Sequence, residues 1–202
     1  MIENEDEGKN CIEKNLIAYS SLYGCTEEIA LKIKEELEKS SIRTEIVKLN
    51  DKDQFNSLFN QDLSQFSSIL LGSSIVAGNF NKKINKILAK LESISLDHKK
   101  FGFFVSCLKA SNPDKIIEAK NEYINSNLKE YNLKFSIVDA FGGKLDLSPD
   151  SSLNFLVKYI IKKKMLKENP NSKKIEPKIY DYRDWQQIEK FTSTWLNIIR
   201  NG

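Results

Sequence analysis

Three hydroxyl side chains and one glycine fall within seven residues: Ser20, Ser21, Gly24 and Thr26, in the run Leu16–Glu28 (LIAYSSLYGCTEE). Hydroxyls offer hydrogen bonds to an anion, and a glycine lets backbone come close to a ligand. The first N–H groups of a helix have no internal partner, and the helix dipole favours negative charge there. The run opens on apolar residues to Tyr19. It breaks into Ser20, Ser21, Leu22, Tyr23, Gly24 and Cys25, and enters a helix at Thr26. That order of parts suits a bound phosphate. Two more loops share the small, hydroxylated character. They are Gly72-Ser73-Ser74-Ile75-Val76-Ala77-Gly78 and Ser106-Cys107-Leu108-Lys109-Ala110-Ser111.

Several other phosphate chemistries are excluded. The chain has no G-x-G-x-x-G for a dinucleotide and no G-x-x-x-x-G-K-[ST] P-loop. A phosphorelay receiver needs acids at the end of its first strand, where Ser20 and Ser21 stand. What remains is a phosphomonoester held as an anchor, by hydroxyls and amides, without a lysine or a magnesium ligand. Cysteines number three (Cys11, Cys25, Cys107), with no CxxC pair, so neither a disulfide framework nor a zinc site is expected. Cys107 has no visible base beside it and reads as a small loop residue. His98, the single histidine, lies beside Lys99 and Lys100 and reads as a surface residue. No metal site is expected.

These residues need elements to position them. Periodicity predicts a strand at about 15–20, a helix at about 26–40 and a half-buried edge strand from Ile42 to Leu49. A polar connection with a short helix follows at 51–66. A buried strand from Ser68 to Gly72 precedes a helix at about 80–94. A strand from Phe101 to Ser106 then leads, through Asn112-Pro113, into a helix ending near Tyr131. Phe135 to Phe141 is a fifth strand, closed by Gly142-Gly143. Ser148-Pro149-Asp150 opens a helix at about 150–166, and a lysine-rich linker covers 167–178. Asp184 with Gln187 predicts a capping box for a last helix carrying Trp185 and Trp195, both read as core anchors. Apolar strands alternating with helices imply a parallel sheet covered on both faces, which binds ligands beyond the carboxyl ends of its strands. The three hydroxylated loops all fall there.

Composition agrees with a globular chain of 202 residues, 40% hydrophobic and 29% charged. The net charge of +3 is unevenly spread: residues 1–14 carry −3, and residues 151–180 carry +6. The start is read as a polar lead-in. Its acids do not fit a secretory leader, and no apolar run approaches the ~20 residues of a membrane span. A cytoplasmic protein is expected.

Ile17, Tyr19, Ser21, Gly24 and Thr26 follow the flavodoxin signature, which the first loop thus resembles; Ala18 and Cys25 depart from its usual residues. The resemblance implies an α/β, flavodoxin-like three-layer fold: a five-stranded parallel sheet of order 2-1-3-4-5, with helices on both faces, binding FMN. By that resemblance, Ser20 to Thr26 (Ser20, Ser21, Leu22, Tyr23, Gly24, Cys25, Thr26) cradles the phosphate. Ser73, Ser74, Ile75, Val76, Ala77 and Gly78 lie against one face of the flavin. Ser106, Cys107, Leu108, Lys109, Ala110 and Ser111 lie against the other. From about residue 15, the chain is similar to the menaquinone-dependent protoporphyrinogen IX oxidase family. The shared features are Gly72-Ser73-Ser74-Ile75 with Gly78, the turn Phe141-Gly142-Gly143-Lys144-Leu145, the basic helix around Phe155 to Met165, and Tyr182-Arg183-Asp184-Trp185-Gln186-Gln187. It implies one domain over 15–202 with a basic inserted segment at about 146–178. Flavodoxins often stack an aromatic ring on the flavin. Here a stacking ring is expected from Tyr23, Phe80 or elsewhere.

The expected function is an FMN-dependent oxidoreductase, with the chemistry on the flavin and no catalytic side chain. Its partner would be a quinone or a porphyrinogen. A soluble electron carrier or quinone reductase is the alternative, and an interaction module without cofactor is a third. In the basic segment, Leu153, Leu156, Val157, Ile160 and Ile161 form an apolar stripe beside Lys158, Lys162, Lys163, Lys164 and Lys167. One reading is a core-packed helix with a solvated lysine face. The other is contact with an anionic partner, including peripheral contact with the inner face of a membrane. Nucleic acid is not expected, since the helix offers no arginine and the loops lack interleaved aromatics.

Overall fold

β1, Lys14–Ser20, is an interior strand of the sheet, paired on both sides. Leu16, Ile17, Ala18 and Tyr19 are all buried, because helices cover both faces of a parallel sheet at this position. The structure, a computed structural model, describes residues 14–76, 78–94, 99–168 and 174–201. The polar lead-in up to residue 13 with Cys11, and also Ala77, His98 and linker residues 169–173, lie outside the described residues.

The chain runs from β1 through α1 (Cys25–Lys39), β2 (Thr44–Lys48), α2 (Lys52–Asn60), β3 (Phe66–Ser74), α3 (Lys82–Glu92) and β4 (Lys100–Cys107). The next helical stretch is broken. A 3-10 turn at Pro113–Lys115 leads to α4 (Ile116–Ala119), a π-helical stretch (Lys120–Asn125) and α5 (Ser126–Leu128). β5 (Ile137–Gly142) completes a five-stranded parallel sheet of order β2-β1-β3-β4-β5. β3 extends two residues beyond the predicted Gly72, because Ser73 and Ser74 still pair with Val105 and Ser106.

Two apolar layers sandwich the sheet. One face packs Leu16, Ile69, Leu71, Phe103 and Val105 under α2, α3 and the 116–128 stretch. The other packs Ile17, Leu70, Phe104 and Phe141 under α1 and α7 (Trp185–Arg200). Trp195, 1% exposed, anchors the second layer, and Phe141 and Phe191 meet edge to face at 5.3 Å. Trp185 is only partly buried, with the Arg183 guanidinium 4.6 Å above its ring. Asp184 caps α7 by accepting from the Gln186 and Gln187 N–H groups. The expected return bond from Gln187 is replaced, since its amide donates to Asp139 Oδ2 (3.1 Å) and the Ala140 carbonyl (3.3 Å).

After β5 the chain leaves the parallel pattern. β6 (Lys144–Asp146) pairs antiparallel with β7 (Ile179–Asp181), closing a long excursion that contains α6 (Phe155–Glu168). A third, small cluster of Leu145, Leu147 and Leu153 supports it, with Ile161, Met165, Ile175 and Tyr180 packed around. The hairpin was not expected from sequence, and α6 begins at Phe155 rather than near Asp150. Gly142 permits the junction, because a Cβ there would lie 2.0 Å from the Tyr182 carbonyl oxygen.

Candidate functional site

The loops after β1, β3 and β4 meet at one edge of the sheet, as parallel register requires. They form the floor of a cleft of about 430 Å³. Ser21, Tyr23, Cys25, Thr26, Ser74, Ile75, Val76, Ser106, Cys107 and Leu108 line it. Gly143, Lys144, Leu145, Asp146, Leu153, Val157, Ile161 and Ile179 form the opposing roof, with Ser151 and Ser152. The roof therefore comes from the hairpin and α6.

The first loop is shaped by Gly24, whose φ of +82° is a left-handed conformation that a side chain would strain. Gly24 begins α1 without any side-chain cap. The first N–H groups of that helix thus face the loop rather than a capping oxygen. The Ser21 N–H is tied to Asn50 Oδ1 at 2.7 Å, which fixes the loop to the turn after β2. The hydroxyls of Ser20 and Ser21 are buried and have no hydrogen-bond partner. Leaving a buried hydroxyl unpaired costs about 1–3 kcal/mol, so both call for an acceptor or donor from elsewhere, and Ser21 is the one that lines the cleft. Thr26 is already partnered across the cleft floor, its Oγ1 lying 2.8 Å from Ser106 Oγ.

The other predicted site residues separate into two groups. Ile75 is pinned by its N–H to the Ser106 carbonyl (3.2 Å), and Val76 and Asn79 exchange two backbone bonds around Gly78, at φ +82°. Leu22 is half exposed on the outer side of the first loop. Ser73 is buried, its Oγ donating to the Ser74 carbonyl and accepting from the Asn81 N–H. Ala110 is buried in the core layer. Lys109 turns away from the cleft, because Glu118 (2.8 Å) and Glu122 hold its ammonium over the Tyr123 ring. Of the two candidate stacking rings, Phe80 is buried against Phe103, with ring centroids 4.8 Å apart. Tyr23, half exposed, lines the cleft.

Two acids stand in the first turn of α1, beside the loop. Such charge would oppose a bound anion unless neutralised. Glu27 accepts from Lys48 (2.7 Å) and from the Tyr19 hydroxyl (2.8 Å), and these bonds hold its carboxyl below the usual range. Burial and the bond to Glu27 push the Tyr19 phenol up, so it stays a donor. Glu28 is paired with Lys144 and with Arg183 Nη1 at 2.5 Å. Burial works to raise the Glu28 carboxyl, but the bonds from these two cations outweigh it and hold it low. The Arg183 side chain, 5% exposed, also grips Asp181 at 2.5 Å. Lys144 lies on β6 and Arg183 two residues past β7, so the same contacts that neutralise α1 also dock the roof on the floor. Burial raises the thiols of Cys25 and Cys107, which are neutral at physiological pH and poor nucleophiles. Among the described residues, no group of three or more His, Cys, Asp or Glu side chains is placed to hold a metal.

The roof residues were not read from the sequence as site residues. The one available signal was the alternation Lys144-Leu145-Asp146-Leu147, matched by Ile179-Tyr180-Asp181, a pattern of short strands.

A five-stranded parallel sheet of this order, with an uncapped helix and hydroxylated loops at its carboxyl edge, defines a flavodoxin-like α/β protein. A family model for the flavodoxin domain matches residues 16–174, and the chain belongs to that family. Comparison with curated proteins gives no match. Among solved structures, the chain is similar to oxidised Flavodoxin 2 of Bacillus cereus (TM-score 0.51, 20% identity), covering 93% of this chain and 98% of that one. It is also similar to RosB, solved with bound 8-demethyl-8-formylriboflavin-5′-phosphate (TM-score 0.54, 13% identity, 93% and 79% covered). A third likeness is to the rubredoxin oxygen:oxidoreductase of Desulfovibrio gigas (TM-score 0.52, 11% identity), where 93% of this chain matches 36% of that protein.

Proposed function

We propose that this chain is an FMN-dependent oxidoreductase acting on a small, largely apolar redox substrate. The observation that carries the reading is the pair of buried, unpartnered hydroxyls of Ser20 and Ser21, directly ahead of the uncapped N-terminus of α1. A phosphomonoester supplies the acceptors these donors lack. Ser20, Ser21, Thr26 and the backbone from Leu22 to Thr26 would hold the phosphate. Ser74 to Gly78 and Ser106 to Leu108 would flank the ring. The bound flavin supplies transfer of a hydride or of single electrons. Lys48, Lys144 and Arg183 keep the carboxylates of Glu27 and Glu28 from repelling the phosphate. The aliphatic walls exclude water.

The roof favours an enzyme over a plain electron carrier. Leu145, Leu153, Val157, Ile161 and Ile179 give the cleft a second, aliphatic wall, with the Lys144 ammonium at its edge. A flat apolar molecule with peripheral carboxylates, or a quinone, suits that wall. The reading therefore extends to a dehydrogenase similar to the menaquinone-linked protoporphyrinogen enzymes. The competing reading is a flavodoxin-type carrier or quinone reductase, in which the exposed rim of Val76 and Leu108 would meet a protein partner.

A visible spectrum of the purified protein and a titration with FMN test the cofactor. A colourless protein that takes up no FMN overturns the proposal. Turnover of protoporphyrinogen with menaquinone, read by porphyrin fluorescence, separates the two readings. Deleting residues 150–178 is expected to abolish that turnover while FMN stays bound.

A further inference from the structure

Helix α6 is apolar on two sides, and only one is used. Ile161 and Met165 face inward onto the Leu145–Leu147–Leu153 cluster, and Val157 lines the cleft with Ile161. The opposite side carries Phe155 (79% exposed), Leu156 (65%), Tyr159 (57%) and Ile160 (64%). At helical spacing these four share a face with Lys163 and Lys167, both exposed, one and two turns further on. Of the two readings of this helix, the core-packed one with a purely solvated lysine face is therefore not what forms. The bare face continues into the cleft mouth through Val157 and Ile179, which are exposed and also line the cleft.

We infer that the outer face of α6 is a membrane-surface anchor for an anionic bilayer. Large exposed apolar side chains followed by lysines are what an interfacial helix requires, the former entering the acyl boundary and the latter meeting headgroups. Residues 155–167 contain no acid. Charge complementarity thus selects an anionic surface and opposes a second copy, since two lysine-bearing faces without acids would meet. α6 is 14 residues long and lysine-bearing, too short to span a bilayer, so it would lie at the surface. Lying on the surface, α6 turns the cleft mouth toward the bilayer, from which a lipophilic substrate can enter without crossing water.

The test uses the full-length protein and sedimentation with vesicles. Binding is expected to phosphatidylcholine vesicles containing phosphatidylglycerol, and to fade as salt is raised. The double variant Phe155→Ser/Ile160→Ser is expected to lower partitioning by at least roughly tenfold, through lost apolar burial. Lys163→Gln/Lys167→Gln should lower it roughly 25-fold on the anionic vesicles alone. All four positions are exposed, so an unchanged circular dichroism spectrum verifies the fold. Absence of binding at low salt overturns the inference, as do variants that bind like the parent. So does a concentration-dependent dimer, seen by sedimentation equilibrium, that dissociates in Phe155→Ser/Ile160→Ser while vesicles are ignored.

Discussion

Ser20, Ser73 and Ser106 stand at the ends of three adjacent parallel strands, each buried and each set by strand register. Across the same cleft, Lys144, Asp146 and Ile179 stand on a two-stranded hairpin whose buried apolar support, among the described residues, is the small cluster of Leu145, Leu147 and Leu153. The floor inherits its rigidity from the main core. The roof is held by a small cluster and by the ion pairs of Lys144 and Arg183 to Glu28. A cleft built this way keeps its floor fixed while its roof can open at modest cost.

Core truncations should separate the halves most sharply. Ile17→Ala, in β1, is expected to lower global stability by about 2–5 kcal/mol in denaturant unfolding. Leu145→Ala removes similar bulk from the roof and should leave the main transition nearly unmoved, while hydrogen exchange of β6 and β7 accelerates. Equal losses in both variants would show that the halves are one cooperative unit.

Next in size is the phosphate contact. Ser21→Ala should weaken FMN by about 1.5–3 kcal/mol, the worth of a hydrogen bond to a charged group, and leave the melting temperature of the free protein unchanged or raised. Thr26→Val should weaken FMN and also lower that melting temperature, because it breaks the buried bond to Ser106. Ser21→Ala protein with parental FMN affinity would reject the phosphate assignment.

Arg183→Met probes the docking of the roof. Its two carboxylate partners are partly solvated, so a loss of about 1–2 kcal/mol is expected, seen as faster proteolysis of the 144–181 excursion with the sheet intact. The smallest effect is on pH. Glu28 and Asp181 are both held below their ordinary values of 4.5 and 3.8, by bonds that offset burial at Glu28 and chiefly by Arg183 at Asp181. Their contribution is fully present above those values and is lost as pH falls through the lowered ones. Below about pH 4.5 the roof should loosen before the sheet unfolds, measurable by exchange at β6–β7.

The floor was legible in the sequence because it is local. Apolar strand, hydroxylated loop and helix follow one another, and parallel topology gathers the three loops without further information. The 2-1-3-4-5 order came from the likeness of the first loop to flavodoxins, and the observed sheet has it. The roof was not legible, because its strands pair across more than thirty intervening residues and are three residues each. Lys144, Arg183 and Glu28 meet from three separate stretches, and no periodicity reports such a meeting. Lys109 shows the reverse case. Its place in the third loop suggested the cofactor, but two acids on the next helical stretch capture it. In α6 the apolar residues were visible, but which side they faced depended on the hairpin beneath.

The antiparallel closure of β6 on β7 has a consequence for variation. Both ends of the excursion are fixed at the hairpin base, by Lys144 opposite Asp181 and by Gly142 against Tyr182. Whatever lies between Asp146 and Ile179, α6 included, is a chain excursion closed at its base by this pairing. Doubling the length of a flexible loop adds only about 0.6 kcal/mol of closure cost. The segment is therefore expected to tolerate exchange for another of different length and chemistry while the five-stranded sheet stays as it is, which makes this hairpin a grafting point for reshaping the cleft.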